Sequence, residues 1–134
     1  MKSTIVRTPN FNKLLANNDR ELCKEGKDEI YIYQHTDRLK EFFAFAESIS
    51  ITTLKGISQS TADAYVLYME QERKNENFGG TLWQTTINLH ITAISKFWQY
   101  LSIEGIETNN ILIRHRKKAN KKEITVLHLE EIKQ

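Results

Sequence analysis

The stretch TINLHITAISKFWQYL, residues 86–101, decides the fold of this chain. Its large apolar residues recur at steps of four, three, four and three, which is the spacing of one face of an α-helix. They are Ile87, Ile91, Ile94, Trp98 and Leu101. A helix with such a stripe buries it against other helices, so the stretch predicts the central helix of a bundle.

Polar residues follow the same period on the opposite side of this predicted helix. They are Asn88, Thr92, Ser95, Lys96 and Gln99. Asn, Gln and Lys are side chains that can hydrogen-bond to base edges in a DNA major groove. The candidate DNA-binding residues of the stripe are Asn88, Thr92, Lys96 and Gln99. The same residues could contact phosphates instead, and an ordinary hydrated helix surface is the plain alternative.

Outward from this stretch, start and stop signals place the other helices. A first helix should begin with Thr8 as N-cap and Pro9 as its first residue, and reach Gly26. A second should run from the N-cap Asp28 to Glu47, with one apolar face. A third should run from about residue 60 to residue 74, opened by a capping box of Ser60 and Asp63. The central helix should extend from residue 83 to residue 104.

The connecting segments carry fewer signals. Residues 48–59 have no helical period, but Leu54 and Ile57 are spaced to pack under the bundle. Polar residues and a Gly-Gly pair at 75–80 predict a loop. Gly105 should close the long helix in a Schellman ending, and a short element should follow at 110–113. The predicted fold class is therefore all-α, a compact bundle of four to five helices.

Composition limits the function classes. The chain has 134 residues, 40% hydrophobic and 27% charged, which suits one folded soluble domain. Cys23 is the only cysteine, so an internal disulfide and a cysteine-based zinc site are excluded, and a cytoplasmic location is expected. The four histidines are too scattered to suggest a metal site. We expect no cofactor, no membrane-spanning segment and no small-molecule substrate.

A basic run lies near the C-terminus, between residues 114 and 122, and contains no acidic residue. Its cations are Arg114, Arg116, Lys117, Lys118, Lys121 and Lys122. Since phosphates dominate the affinity of proteins for DNA, these residues are further candidate DNA contacts. A solvated, flexible tail is the alternative. Net charge of only +2 would not point to nucleic acid without this uneven distribution.

Three sequence matches carry a resemblance to a known family. The first match is in the second predicted helix, where the spacing of apolar residues is similar to that of the family. The matching residues are Ile32, Leu39, Phe42 and Phe45, and His35 stands at a position where the family usually has Tyr. The long helix, with Thr86-Ile87-Asn88 and its aromatic-Leu finish, carries the most specific match. The third match consists of Leu127, Glu130, Glu131 and Ile132. Together they resemble the N-terminal core-binding, SAM-like helical domain of tyrosine recombinases, the family of phage integrases and Xer-type enzymes.

The chain departs from the family pattern at two places. His128 replaces a usual Thr, and Asn109-Asn110 stands where Asn-Pro is usual. The resemblance implies an N-terminal arm at 1–27, a core-binding domain at 28–113, and a basic linker with the start of a catalytic domain at 114–134. It implies double-stranded DNA, the catalytic domain and neighbouring recombinase protomers as partners.

The resemblance also implies that this chain cuts no DNA. The family's tyrosine nucleophile and its helping arginines, lysine and histidines belong to the catalytic domain, so the tyrosines here are expected to be core or surface aromatics. Two other functions stay open at this point: a helical protein-interaction domain whose basic tail is incidental, and a standalone helical DNA-binding regulator.

Overall fold

The computed structural model describes residues 4–72 and 84–115, and within these ranges every regular element is helical. A single 3-10 turn, Leu54–Gly56, lies between the second and third α-helices. The α-helices are α1 (Pro9–Lys24), α2 (Glu29–Ser48), α3 (Gln59–Gln71) and α4 (Gln84–Ile103). The prediction of a small all-α bundle is confirmed.

The first two helices begin where the sequence signals place them. Thr8 is the N-cap of α1 and Pro9 its first residue. Asp28 caps α2, and its carboxylate accepts a hydrogen bond from the Ile30 backbone N–H at 3.2 Å. Helix α1 ends at Lys24, slightly earlier than predicted, because Gly26 adopts a left-handed φ of 81° and turns the chain toward α2.

The predicted start of the third helix is wrong by two residues. Ser58, not Ser60, is the N-cap of α3, and its backbone N–H donates to Thr61 Oγ1 at 3.2 Å. Asp63 is exposed and accepts a hydrogen bond from the Gln59 side chain instead. Two similar cap patterns overlap in this sequence, and burial of Thr61 favours the earlier one. Helix α3 ends at Gln71.

The predicted loop at 75–80 and the predicted first residue of the long helix, Trp83, lie outside the described residues. Within the described ranges α4 starts at Gln84. Its end agrees with the Schellman prediction. Gly105 has φ 76°, and the Ile106 backbone N–H donates to the Leu101 carbonyl at 2.9 Å.

The core centres on the packing of α4 against α2, and α1 packs against α2 while α3 packs against both α4 and α2. Aromatic rings fill the centre: Phe43 lies 5.6 Å from Phe97, and Phe42 lies 5.1 Å from Tyr65, between ring centroids. The whole apolar stripe of α4 is buried, with exposed fractions between 0 and 9%. Leu54 and Ile57 are buried as predicted.

The residues after α4, 105–115, form what we call the C-terminal strap. They run without helix or strand, so the short element predicted at 110–113 is wrong. The physical reason is that the backbone of Leu112 is hydrogen-bonded to a side chain of another element. The Gln59 side chain donates to the Leu112 carbonyl at 2.9 Å and accepts from the Leu112 N–H at 2.8 Å. These bonds occupy backbone groups that a helix would pair internally.

Candidate nucleic-acid interface

The polar side of α4 is not a uniform free surface. Lys96 and Gln99 are exposed, whereas Asn88, Thr92 and Ser95 are half-buried. Ser95 and Gln99 line a shallow depression together with the C-terminal strap. The sequence pattern predicts one continuous polar face, but in the structure some of its residues are exposed and others are half-buried.

The strap is held against the domain by hydrogen bonds and by apolar packing. Trp98 Nε1 donates to the Asn109 carbonyl at 3.1 Å. The Asn109 amide donates to the carbonyls of Lys55 and Ile57, at 2.7 and 2.9 Å. Three strap isoleucines also pack against the core, namely Ile106, Ile111 and Ile113. The strap is thus a built part of the domain.

The end of the strap reaches the middle of the polar stripe. The hydroxyl of Thr92 and Nε2 of His115 lie 2.7 Å apart, within hydrogen-bond distance, although 23 positions separate these residues. Arg114, the preceding residue, is exposed. The strap therefore contacts the polar face of α4 through His115, whereas Arg114 lines a depression together with Asp63 and Val66 of α3.

Lys96 lies at the edge of the stripe, on the side of α2. Its Nζ donates to the Tyr31 hydroxyl at 3.2 Å and lies 5.6 Å from the centroid of the Tyr31 ring. Lys27 Nζ lies 5.5 Å from the same ring. Two ammonium groups therefore lie close to the Tyr31 side chain, and Lys96 interacts with its hydroxyl.

Beneath Tyr31 lies His35, whose imidazole ring is stacked on it with centroids 5.9 Å apart. His35 is buried. Burial, followed by the positive charges of Lys96 and Arg38, lowers the pKa of His35 to about 4, against a smaller raising effect of Asp19. At neutral pH this ring carries no charge, so it does not add a cation to the face.

Of the ten predicted DNA contacts, the structure describes five. Asn88, Thr92 and Gln99 share one side of α4, and Lys96 contacts Tyr31. Arg114 is exposed and lines a depression beside α3. The others lie outside the described residues: Arg116, Lys117, Lys118, Lys121 and Lys122.

The sequence reasoning missed three residues that organise this region: Tyr31, Asn109 and Gln59. Tyr31 and His35 are four positions apart on α2, a spacing that indicates contact along one helix face. Asn109 and Gln59 gave no signal of their own, because each acts on backbone more than 50 positions away. Hydrogen bonds of that range are set by the tertiary fold.

Neither a metal site nor a membrane span is found in ranges 4–72 and 84–115. Those residues contain no group of three His, Cys, Asp or Glu side chains arranged to hold an ion. None of their helices combines the length and apolar character that crossing a bilayer requires. Cys23 is exposed and carries a free thiol.

The described residues form a small all-α domain, and the end of its C-terminal strap contacts the polar side of the central helix through His115. Comparison of the chain with protein-family models, curated proteins and solved structures gives no match in any of the three. Function must therefore be inferred from the residues and their geometry.

Proposed function

We propose that this protein binds duplex DNA as the core-binding module of a site-specific tyrosine recombinase that acts in DNA integration and recombination. The observation that carries the proposal is the contact between Thr92 and His115, with 2.7 Å between the hydroxyl and Nε2. Two features singled out separately in the sequence, the polar stripe and the basic run, meet there. The ordered motifs that resemble the recombinase family give this shared face its functional interpretation.

The exposed part of the face has the chemistry that duplex DNA requires. Arg114 is exposed and can pair with a phosphate, and the cations that follow it in sequence would extend this contact along the backbone. Gln99 is exposed on α4 and can donate to and accept from a base edge. Phosphate contacts would fix the orientation, and base contacts would give preference among sequences.

Tyr31 gives Lys96 a defined place in this interface. The hydrogen bond from Lys96 Nζ to the Tyr31 hydroxyl restricts a long flexible side chain. Restricting it before DNA arrives reduces the entropy lost on binding. We therefore assign Tyr31 as a positioning residue for Lys96, at the α2 edge of the interface.

The other partners in this proposal are the family's catalytic domain and neighbouring protomers, which complete a clamp around DNA. Strand cleavage is not proposed for residues 1–134, and neither is a cofactor. Tyr65 illustrates why: its ring is fully buried among Phe42 and Phe45, where no phosphate could reach the hydroxyl.

The salt dependence of binding tests the proposal. Fluorescence anisotropy of a labelled duplex, titrated with protein at several salt concentrations, should give a slope of log affinity against log salt near −3.6, for about four phosphate contacts. Affinity of the module alone should fall in the range of about 10⁻⁴ to 10⁻⁶ M. Absence of binding at low salt would overturn the DNA proposal.

Substitutions separate the two kinds of contact. Lys117→Gln with Lys118→Gln should weaken binding to all duplexes alike and reduce the salt slope by about two. Gln99→Ala and Asn88→Ala should change the preference among sequences if α4 reads bases. Lys13→Gln, an exposed lysine on α1, is the matched control and should leave binding unchanged. If Gln99→Ala weakens binding equally for all duplex sequences, the polar side of α4 contacts phosphates rather than bases.

One observation favours a second candidate, a helical protein-interaction domain. Ile30 and Tyr33, about one turn apart at the start of α2, are 65 and 63% exposed. Exposed apolar patches frequently mark protein interfaces. A protein that binds no duplex but loses self-association or partner binding on Ile30→Ser with Tyr33→Ser would belong to this class.

A further inference from the structure

A groove of about 260 Å³ lies between α1, α2 and α4, and Lys96 and Gln99 of the proposed DNA interface form part of its wall. Its volume is below the range of about 300–1,000 Å³ that holds drug-sized ligands, so it suits a smaller molecule.

The floor of the groove contains a buried amide that lacks a partner. Asn18 is only 3% exposed, it lines the groove, and its Nδ2 makes no hydrogen bond within the part of the chain that the structure describes. A buried donor without an acceptor costs free energy, so such groups are normally satisfied by protein, water or a ligand. A water or a ligand in the groove that reached this amide would supply the acceptor.

Two lysines lie at one end of the groove, and Glu25, two residues before Lys27, also lines the groove. Lys27 and Lys96 both lie within 6 Å of the Tyr31 ring centroid, at 5.5 and 5.6 Å. The pKa of the nearby His35 is lowered by burial and then by Lys96 and Arg38, in agreement with a positive potential there. An anionic group of a ligand would be stabilised at this end.

The other end of the groove is negative. Glu21 on α1 and Glu104, at the end of α4, line it together with Tyr100. Burial raises the pKa of the Tyr100 hydroxyl, and the negative charges of Glu104 and Glu21 raise it further, against a smaller lowering by Arg20. A cationic group of a ligand would be stabilised here. Between the two ends, Leu22 and Ile103 supply apolar wall.

We propose that this groove binds a small zwitterion of the free apolar α-amino acid class. Its carboxylate would lie toward Lys27 and Lys96 and would accept from Asn18, its ammonium group would lie toward Glu21 and Glu104, and its side chain would contact Leu22 and Ile103. A ligand with only one charge would leave one charged end of the groove uncompensated. The inference does not depend on DNA binding, although Lys96 and Gln99 belong to both the groove and the proposed interface.

Titration of the full chain with free amino acids tests this inference by NMR. A panel of valine, leucine, isoleucine, methionine and phenylalanine should include at least one that binds saturably below tens of millimolar, with shifts clustered around residues 18–35 and 96–104. Its two halves, for leucine 4-methylpentanoate and isopentylamine, should each bind at least about tenfold more weakly.

Surface substitutions that spare the core make the charge pairing testable. Lys96→Met and Glu104→Gln should each weaken binding by about tenfold, while Lys13→Met and Glu72→Gln, which lie outside the groove, should not change it. Circular dichroism checks that all four variants remain folded. Three outcomes would overturn the inference: no amino acid of the panel binds saturably, an analogue with only one charge binds as tightly as the amino acid, or the chemical-shift changes map to residues outside the groove.

Discussion

The two sides of α4 differ in what fixes their side chains. On the apolar side, Ile91 and Phe97 are fully buried, and their environment follows from the period of the sequence alone. On the polar side, Thr92 contacts His115 of the strap and Lys96 contacts Tyr31 of α2. These two polar residues thus have partners from two different, distant parts of the chain.

The two sides of α4 therefore contribute differently to the protein. The apolar side supplies stability that any well-packed helix pair would give, since burial is non-directional. The polar side supplies placement, because hydrogen bonds of defined length connect α4 to the strap and to α2. If so, substitutions on the apolar side should change stability strongly, and those on the polar side should change geometry and binding.

The largest effect should come from the core. Phe97→Ala removes a fully buried ring that lies 5.6 Å from Phe43 and 5.9 Å from Tyr100, and should lower the free energy of unfolding by about 3–5 kcal/mol. Urea denaturation measures it. If this variant does not fold, Phe97→Leu should still fold, with a loss of about 1 kcal/mol. Gln99→Ala, on the exposed side, should change stability by no more than about 0.5 kcal/mol.

Similar decreases in the free energy of unfolding for Phe97→Ala and Gln99→Ala would contradict this distinction between the two sides of α4. They would mean that the polar side is as important to stability as the core.

An intermediate effect should come from pH through His35, at the junction of α2 with the Lys96 edge. Because the folded pKa is about 4 and the ordinary value is 6.5, the unfolded chain binds a proton first as the pH falls. The contribution of neutral His35 to the free energy of unfolding is fully present above pH 6.5 and is lost progressively as the pH falls to 4. The loss should reach about 2 kcal/mol after allowance for solvent screening of the neighbouring charges.

The measurement is the free energy of unfolding at intervals between pH 7 and pH 4 for the protein and for His35→Gln. The variant should show a flatter profile in this window. Glu47, whose pKa is lowered by hydrogen bonds from Thr8 and Arg7 despite some burial, acts mainly below this range. An identical slope in both proteins would show that His35 is not the source.

The smallest effect should come from the turn that directs the strap back along α4. Gly105 has φ 76°, and a β-carbon added there would meet no atom within 4 Å. Gly105→Ala should therefore cost only the backbone penalty of the left-handed conformation, about 1 kcal/mol, and Gly105→Asn less. Thermal unfolding measures both. A loss above about 3 kcal/mol would indicate that strap and core are coupled more tightly than the contacts suggest.

Much of the fold was predictable from residue patterns. Helix starts at Thr8 and Asp28, the buried stripe of α4 and the Gly105 ending all depend on local signals, which act within a few residues. The start of α3 was predicted two residues late because Ser58 and Ser60 both offer acceptable caps. The element predicted at 110–113 failed because its apolar residues pack as an extended strap, which Gln59 holds by bonding to Leu112.

The candidate interface was predictable in composition but not in arrangement. The polar stripe and the basic run could each be recognised by residue type and spacing. Their meeting at Thr92 and His115 could not, because it depends on how the strap returns along α4. The groove at Asn18 gave no signal in the sequence at all, since its walls come from three helices.

By itself, the sequence determined an all-α fold, its central helix and the residue types available for binding. These follow from hydrophobic periodicity and local capping, which are properties of short stretches. Only the tertiary structure decided which polar groups meet: Thr92 with His115, Lys96 with Tyr31, and Asn18 with a charged groove. The physical reason is that contacts between distant residues depend on the packing of whole helices, which no single stretch of the chain specifies.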